Sequence, residues 1–151
     1  LYRIGEGMRD ISLQLFFTLF GKDGSLSLEK MGRILNVSVD GALHNALNDA
    51  RLLYLCYRAV IKGEIPQDRL SMAREELLIR EVYQKSRKFE EPMTGYPEEK
   101  KQAAYALIEE LMSTVKTDSL REKGKVLALC DDILLMTGEK ARYQREYFHW
   151  I

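Results

Sequence analysis

Two residues in the segment His44-Asn45-Ala46-Leu47-Asn48-Asp49-Ala50 carry side chains suited to chemistry. An imidazole titrates near neutrality and can take or give a proton at physiological pH. A carboxylate offers the hard oxygen ligands that divalent cations such as magnesium prefer. Their spacing sets a geometric condition. Inside one helix, five positions would turn the two side chains well apart. With His44 on the lead-in to the helix, both can reach one site from neighbouring directions. Ala46 and Ala50 are small enough to let another element approach closely.

The elements that must hold this pair follow from periodicity and punctuation. Apolar residues at helical spacing predict a helix from about Asn45 to Ile61, with His44 at its mouth and Asp49 in its second turn. Gly63 and Pro66 end it as C-cap and breaker. Upstream, a first helix runs from about Ile11 to Phe20, a Gly-Lys-Asp-Gly turn follows, and a second helix spans about Leu28 to Asn36. Residues 1–8 contain two glycines and have room for one short strand. Downstream, Asp68 caps a helix to about Lys88 with Leu70, Ala73, Leu77, Leu78 and Val82 on one face. Pro97 takes the first turn of a helix to about Lys116, whose buried stripe is Ala104, Leu107, Ile108, Leu111 and Val115. Asp118 or Ser119, with Glu122 as capping-box partner, begins another to about Met136, and Gly138 precedes a short aromatic-rich helix. The expected class is mostly α, with six or seven helices and strands largely absent.

Composition bounds the function. With 23 basic and 23 acidic side chains the net charge is zero, so the chain does not grip nucleic acid through a bulk positive field. A nuclease remains compatible, because bound metal ions supply local positive charge. Cys56 and Cys130 have apolar neighbours and read as buried reduced thiols; with only two histidines a zinc site is disfavoured. No run is long and apolar enough for a membrane span, and no basic start leads into an apolar signal segment. The expectation is a cytoplasmic protein without a membrane partner, its oligomeric state open. Leu1 at the start and the aromatic run Tyr147–Ile151 at the close suggest a piece of a longer polypeptide.

The pattern H-x-A-x-x-D-A before an apolar helix, set behind Arg9-Asp10-Ile11-Ser12 and the leucine-containing helix at Leu26–Met31, resembles the last motif of the DEDDh family of 3′-to-5′ exonucleases. The resemblance covers roughly Arg9 to Ile61. It implies the C-terminal portion of a ribonuclease H-like exonuclease fold over residues 1–66, with residues 67–151 as an added helical extension of unknown role. It further implies His44 as general base, Asp49 as catalytic metal ligand, magnesium or manganese as cofactor, and a nucleic-acid 3′ end as partner. The implied reaction is two-metal phosphodiester hydrolysis, which needs four converging carboxylates. Here the chain departs from the family. No Asp-x-Glu tripeptide occurs anywhere in it, so the implied activity belongs to a complete parent and not to this piece. The alternative is a catalytically inactive helical interaction or structural protein.

Other motifs promise less. Gly5-Glu6-Gly7 lacks the rest of a nucleotide-binding fingerprint and reads as a turn. Asp131-Asp132 reads as the polar side of its helix, and His149 beside Trp150 as packing or an exposed end. The mixed charges from Arg74 to Glu91 describe a solvated helix face.

Overall fold

The computed structural model describes residues 4–41 and 44–151. Among them are α1 (Ile4–Phe20), α2 (Leu28–Leu35), α3 (Ala46–Lys62), α4 (Gln67–Ser86), α5 (Glu98–Ser113), a 3₁₀ turn (Thr114–Lys116), α6 (Leu120–Met136) and α7 (Tyr143–Tyr147), and no strand. The mostly α class is observed. None of these helices is long and apolar enough to cross a membrane.

Side-chain caps set three of the helix starts. The Ser27, Asn45 and Ser119 side chains accept backbone N–H groups at the starts of α2, α3 and α6, satisfying donors that a helix leaves open. Asn45 is thus the cap of the motif helix and not its first residue, and Ser119, not Asp118, caps α6. Asn36 (φ 57°) and Gly63 (φ 70°) close α2 and α3 in the left-handed conformation. Pro97 stands one position earlier than expected, as N-cap of α5, while Asp68 lies inside the first turn of α4.

Among the described residues near the start there is no strand. Residues 1–3 lie outside the described residues, and from Ile4 the backbone is helical, with Gly5, Gly7 and Asp10 all inside α1. Leu15, Phe16 and Leu19 bury the far end of this helix. Once a helix is anchored, each added residue needs only propagation, which offsets a glycine cost of about 1 kcal/mol.

The chain forms two compact units, one running up to Arg74 and including Trp150 and Ile151, the other Glu75–His149. In the first, α1 and α2 both pack on α3 around Phe16, Leu19, Met31, Ile34, Leu52 and Cys56. A Cβ at Gly32 would come within 3.0 Å of Leu52 Cδ1, so glycine there lets α2 approach α3. Two arginines of α4 bind carbonyls at the ends of other helices. Arg74 donates from Nε and Nη2 to the Leu19 carbonyl at 2.9 and 2.6 Å, and Arg69 Nη1 donates to that of Arg33 at 2.7 Å. Cations at helix C-termini also complement the helix dipole.

In the second unit α6 is central, packed by α5, the 3₁₀ turn and α7, with Leu127, Ala128, Cys130, Leu134 and Leu135 buried. Gly124 meets α4 so closely that a Cβ would lie 2.6 Å from Val82 Cβ and 2.8 Å from the Ile79 carbonyl oxygen. Gly124→Ala, which in an exposed helix gains about 1 kcal/mol, is therefore expected to destabilise the protein by about 1–3 kcal/mol through overpacking. Urea denaturation measures the sign; a raised midpoint would mean that the two helices can separate at no cost.

Three buried faces differ from expectation. On α4, Ile79 and Tyr83 are 1% exposed while Leu78 is 45% exposed, so the buried stripe runs Leu70, Ala73, Glu76, Ile79, Tyr83. On α5, Ala104 and Ile108 are buried, as is Val115 in the 3₁₀ turn that follows, but Leu107 faces solvent. The largest correction concerns Asp131 and Asp132, expected on a polar surface and found 0% and 4% exposed. Asp131 Oδ1 accepts the backbone N–H groups of Arg142 (2.8 Å) and Tyr143 (3.0 Å). Its Oδ2 accepts the Tyr83 hydroxyl (2.6 Å) and the Gln144 N–H (3.3 Å). Asp132 accepts the Lys88 and Phe89 N–H groups that follow α4. The two carboxylates are internal caps, holding the start of α7 and the end of α4.

Candidate functional site

The site begins at the mouth of α3. The Asn45 side chain accepts the N–H groups of Leu47 (3.0 Å) and Asn48 (3.4 Å), which fixes the first turn. Asp49 lies in that turn, closer to the mouth than the second turn expected for it. His44 stands before the cap and outside the helix, as the spacing required. Its backbone is left-handed (φ 68°), a conformation that side chains other than glycine adopt uncommonly. Asp49 Oδ1 accepts the His44 backbone N–H at 3.2 Å. The carboxylate therefore holds the backbone of the residue that bears the imidazole, and the imidazole-bearing residue is exposed beside it.

Asp49 is half-buried and lines a cleft of about 350 Å³. Leu28 and Leu53 contribute apolar walls, and Arg9, Ser12 and Ser25 add a cation and two hydroxyls. Among the described residues, Asp49 is the only carboxylate in this lining. Among the described residues, no three of the His, Cys, Asp and Glu side chains gather in a group that could hold a metal ion. Divalent cations of the magnesium type take several oxygen ligands, commonly more than one carboxylate. The described residues thus do not by themselves make a two-metal site.

The remaining candidates are quiet. Burial pushes the Cys56 thiol up to about 12, and burial together with the Asp131 charge pushes Cys130 up to about 11. Both cysteines are unpaired, buried thiols that stay protonated and unreactive at neutral pH. Burial, and then the hydrogen bond and charge of Asp131, raise the Tyr83 phenol well above its ordinary value. Arg87 Nη1 donates to the same phenolic oxygen at 3.1 Å and its Nε to the Phe89 carbonyl at 3.0 Å. With four donors on its two oxygens, Asp131 has no acceptor capacity left for chemistry. His149 is exposed, and its backbone N–H donates to Glu76 Oε1 at 2.9 Å.

No family model, curated protein or solved structure matches this chain.

Proposed function

We propose that this chain carries the last catalytic motif of a ribonuclease H-like 3′-to-5′ exonuclease and works as part of a larger site. The full-length gene product would hydrolyse phosphodiesters at nucleic-acid 3′ ends, releasing nucleoside monophosphates. His44 is the general base for the attacking water and Asp49 one of the metal-binding carboxylates, with magnesium or manganese as cofactor. The free thiols suit a reducing cytoplasm. One observation carries the proposal: Asp49 grips the backbone of His44 in a left-handed turn, so both groups stand at one helix mouth beside an open cleft. Backbone held in sparsely populated conformations clusters at active sites. Because one carboxylate does not fit a two-metal site, the other ligands come from residues beyond those described.

A second reading is favoured by the same hydrogen bond. A carboxylate that reaches back to the backbone N–H ahead of the cap is also a structural fastener, and a helical interaction protein needs nothing more. Incubating the 151-residue chain with manganese and a 3′-labelled oligonucleotide is the first test. The label is expected to stay intact, since no further carboxylates gather at the site among the described residues. Robust digestion would show that the described residues suffice and would overturn the incomplete-site reading.

A further inference from the structure

Helices α1 and α3 leave an apolar groove between them. It holds about 210 Å³, walled by Met8 and Ile11 of α1 and by Ala50, Leu53, Tyr54 and Tyr57 of α3. Among the described residues no charged side chain lines it, and it shares Met8 and Leu53 with the cleft beside Asp49. The groove belongs to a longer stripe on α3. Leu47, Ala50, Tyr54, Tyr57 and Ile61 alternate intervals of three and four residues, the spacing of a seam that meets another helix. At about 100° per residue they leave α3 within about 80° of one another, over about 21 Å of its axis. Leu47, Tyr54, Tyr57 and Ile61 are between 45% and 63% exposed, so the described residues leave the seam uncovered. Arg51, Arg58 and Lys62 form the next row round the helix, within about 40° of one another. All three are exposed, and none forms an ion pair with a described residue.

We infer that this groove and seam are a docking site for an amphipathic helix of a protein partner, with acidic residues flanking its apolar stripe. The length and period of the seam fit a helix of about four turns, anchored by apolar residues at i, i+3, i+4 and i+7. Tyr54 and Tyr57 suit such a contact, since each offers a large ring at little entropic cost. The cation row fixes the charge of the occupant. Glutamates or aspartates beside the partner's stripe would stand against Arg51, Arg58 and Lys62. A second copy of this chain does not complete the seam. Two antiparallel α3 helices would set Arg51 of one copy near Arg58 of the other, like charge on like charge. Two parallel ones would need the Leu53 edge, which is already buried. A bilayer surface covers protruding apolar side chains but does not enter a groove between helices. Neither the Asp49 carboxylate nor the His44 imidazole takes part, so the docking site stands whichever reading of the helix mouth holds.

The test is fluorescence anisotropy with a labelled peptide of about 18 residues, held helical by a lactam bridge, with leucines at the seam spacing and glutamates beside them. At about 50 mM salt, where charges are weakly screened, the 151-residue chain is expected to bind it in the micromolar range. The same peptide with lysine for each glutamate should bind at least about 10-fold more weakly. Arg51→Glu with Arg58→Glu and Lys62→Glu should invert that order. Tyr54→Ala with Tyr57→Ala should weaken the glutamate peptide at least about 10-fold, as loss of two aromatic anchors does. The substituted side chains are all exposed, so circular dichroism should be unchanged across the set. Asp49→Asn should bind like wild type, which separates a failure of this site from a failure of the exonuclease reading. A loss in that variant would place the peptide in the Asp49 cleft and overturn the proposal. Absence of binding, or equal affinity for the two peptides, overturns it as well. A sedimentation-velocity dimer that the tyrosine pair abolishes would assign the face to a second copy instead. Binding to phosphatidylserine-containing vesicles that the same pair abolishes, without peptide binding, would assign it to lipid.

Discussion

Alanine at Asp49 in the full-length gene product is expected to reduce nucleotide release from a 3′ end to background, whereas alanine at His44 leaves a residual rate. The asymmetry follows from what each residue holds. On the proposed exonuclease reading His44 would be the proton acceptor, and losing a general base typically costs about 10²- to 10⁴-fold. Hydroxide can replace that base, so the His44→Ala rate should climb as pH rises. Asp49 accepts the His44 backbone N–H at 3.2 Å and, on the proposed exonuclease reading, would also give a ligand oxygen to the metal. Its removal therefore disturbs both residues, and no rise in pH restores it. Initial rates on a 3′-labelled single strand across a pH series check this. Equal losses for the two variants with no recovery for His44→Ala would remove His44 from the role of base.

The second large effect concerns stability. Asp131→Ala is expected to cost about 3–5 kcal/mol, because several buried donors lose their acceptor and each unsatisfied one costs about 1–3 kcal/mol. Those donors are the N–H groups of Arg142, Tyr143 and Gln144 and the Tyr83 hydroxyl. A loss of this size is a substantial share of the total stability of an ordinary domain. Asp131→Asn should fall between, since its amide offers one acceptor oxygen where two now serve. Urea denaturation measures the difference, and amide exchange should show α7 loosening first. A cost under about 1 kcal/mol for Asp131→Ala would mean that water replaces the carboxylate.

What the sequence made legible was local. Helix positions followed from period and punctuation: Gly63 ends α3, Ser119 starts α6, and His44 falls outside the motif helix while Asp49 falls within it. These are decided by a few neighbouring residues, and local chemistry suffices. The misses were tertiary. Asp131 and Asp132 look like surface in any pattern that counts carboxylates as polar, and only the return of α7 and of the loop after α4 supplies their donors. Tyr83 lay outside the face expected for α4, and Asp131, distant in sequence, supplies the acceptor that lets its hydroxyl be buried. Glycines near the start suggested a strand because their cost is visible in the sequence, while the packing that anchors α1 through Phe16 and Leu19 is not. At the candidate site, the pairing of His44 with Asp49 could be read from spacing. The left-handed turn and the direct hydrogen bond between them could not.

That hydrogen bond is shared by the catalytic and the structural readings, so the decisive variant keeps it and removes the charge. Asparagine at Asp49 can still accept the His44 N–H through its amide oxygen but is a poor ligand for a hard cation. The measurement is the initial rate of mononucleotide release from a 3′-labelled single strand by the full-length gene product, wild type against Asp49→Asn. The expected result is steady release by wild type and a loss of at least about 10³-fold in the variant, with the circular dichroism unchanged. No release by wild type, or an asparagine variant within a few-fold of it, would contradict the exonuclease reading and leave Asp49 as a fastener of the helix mouth.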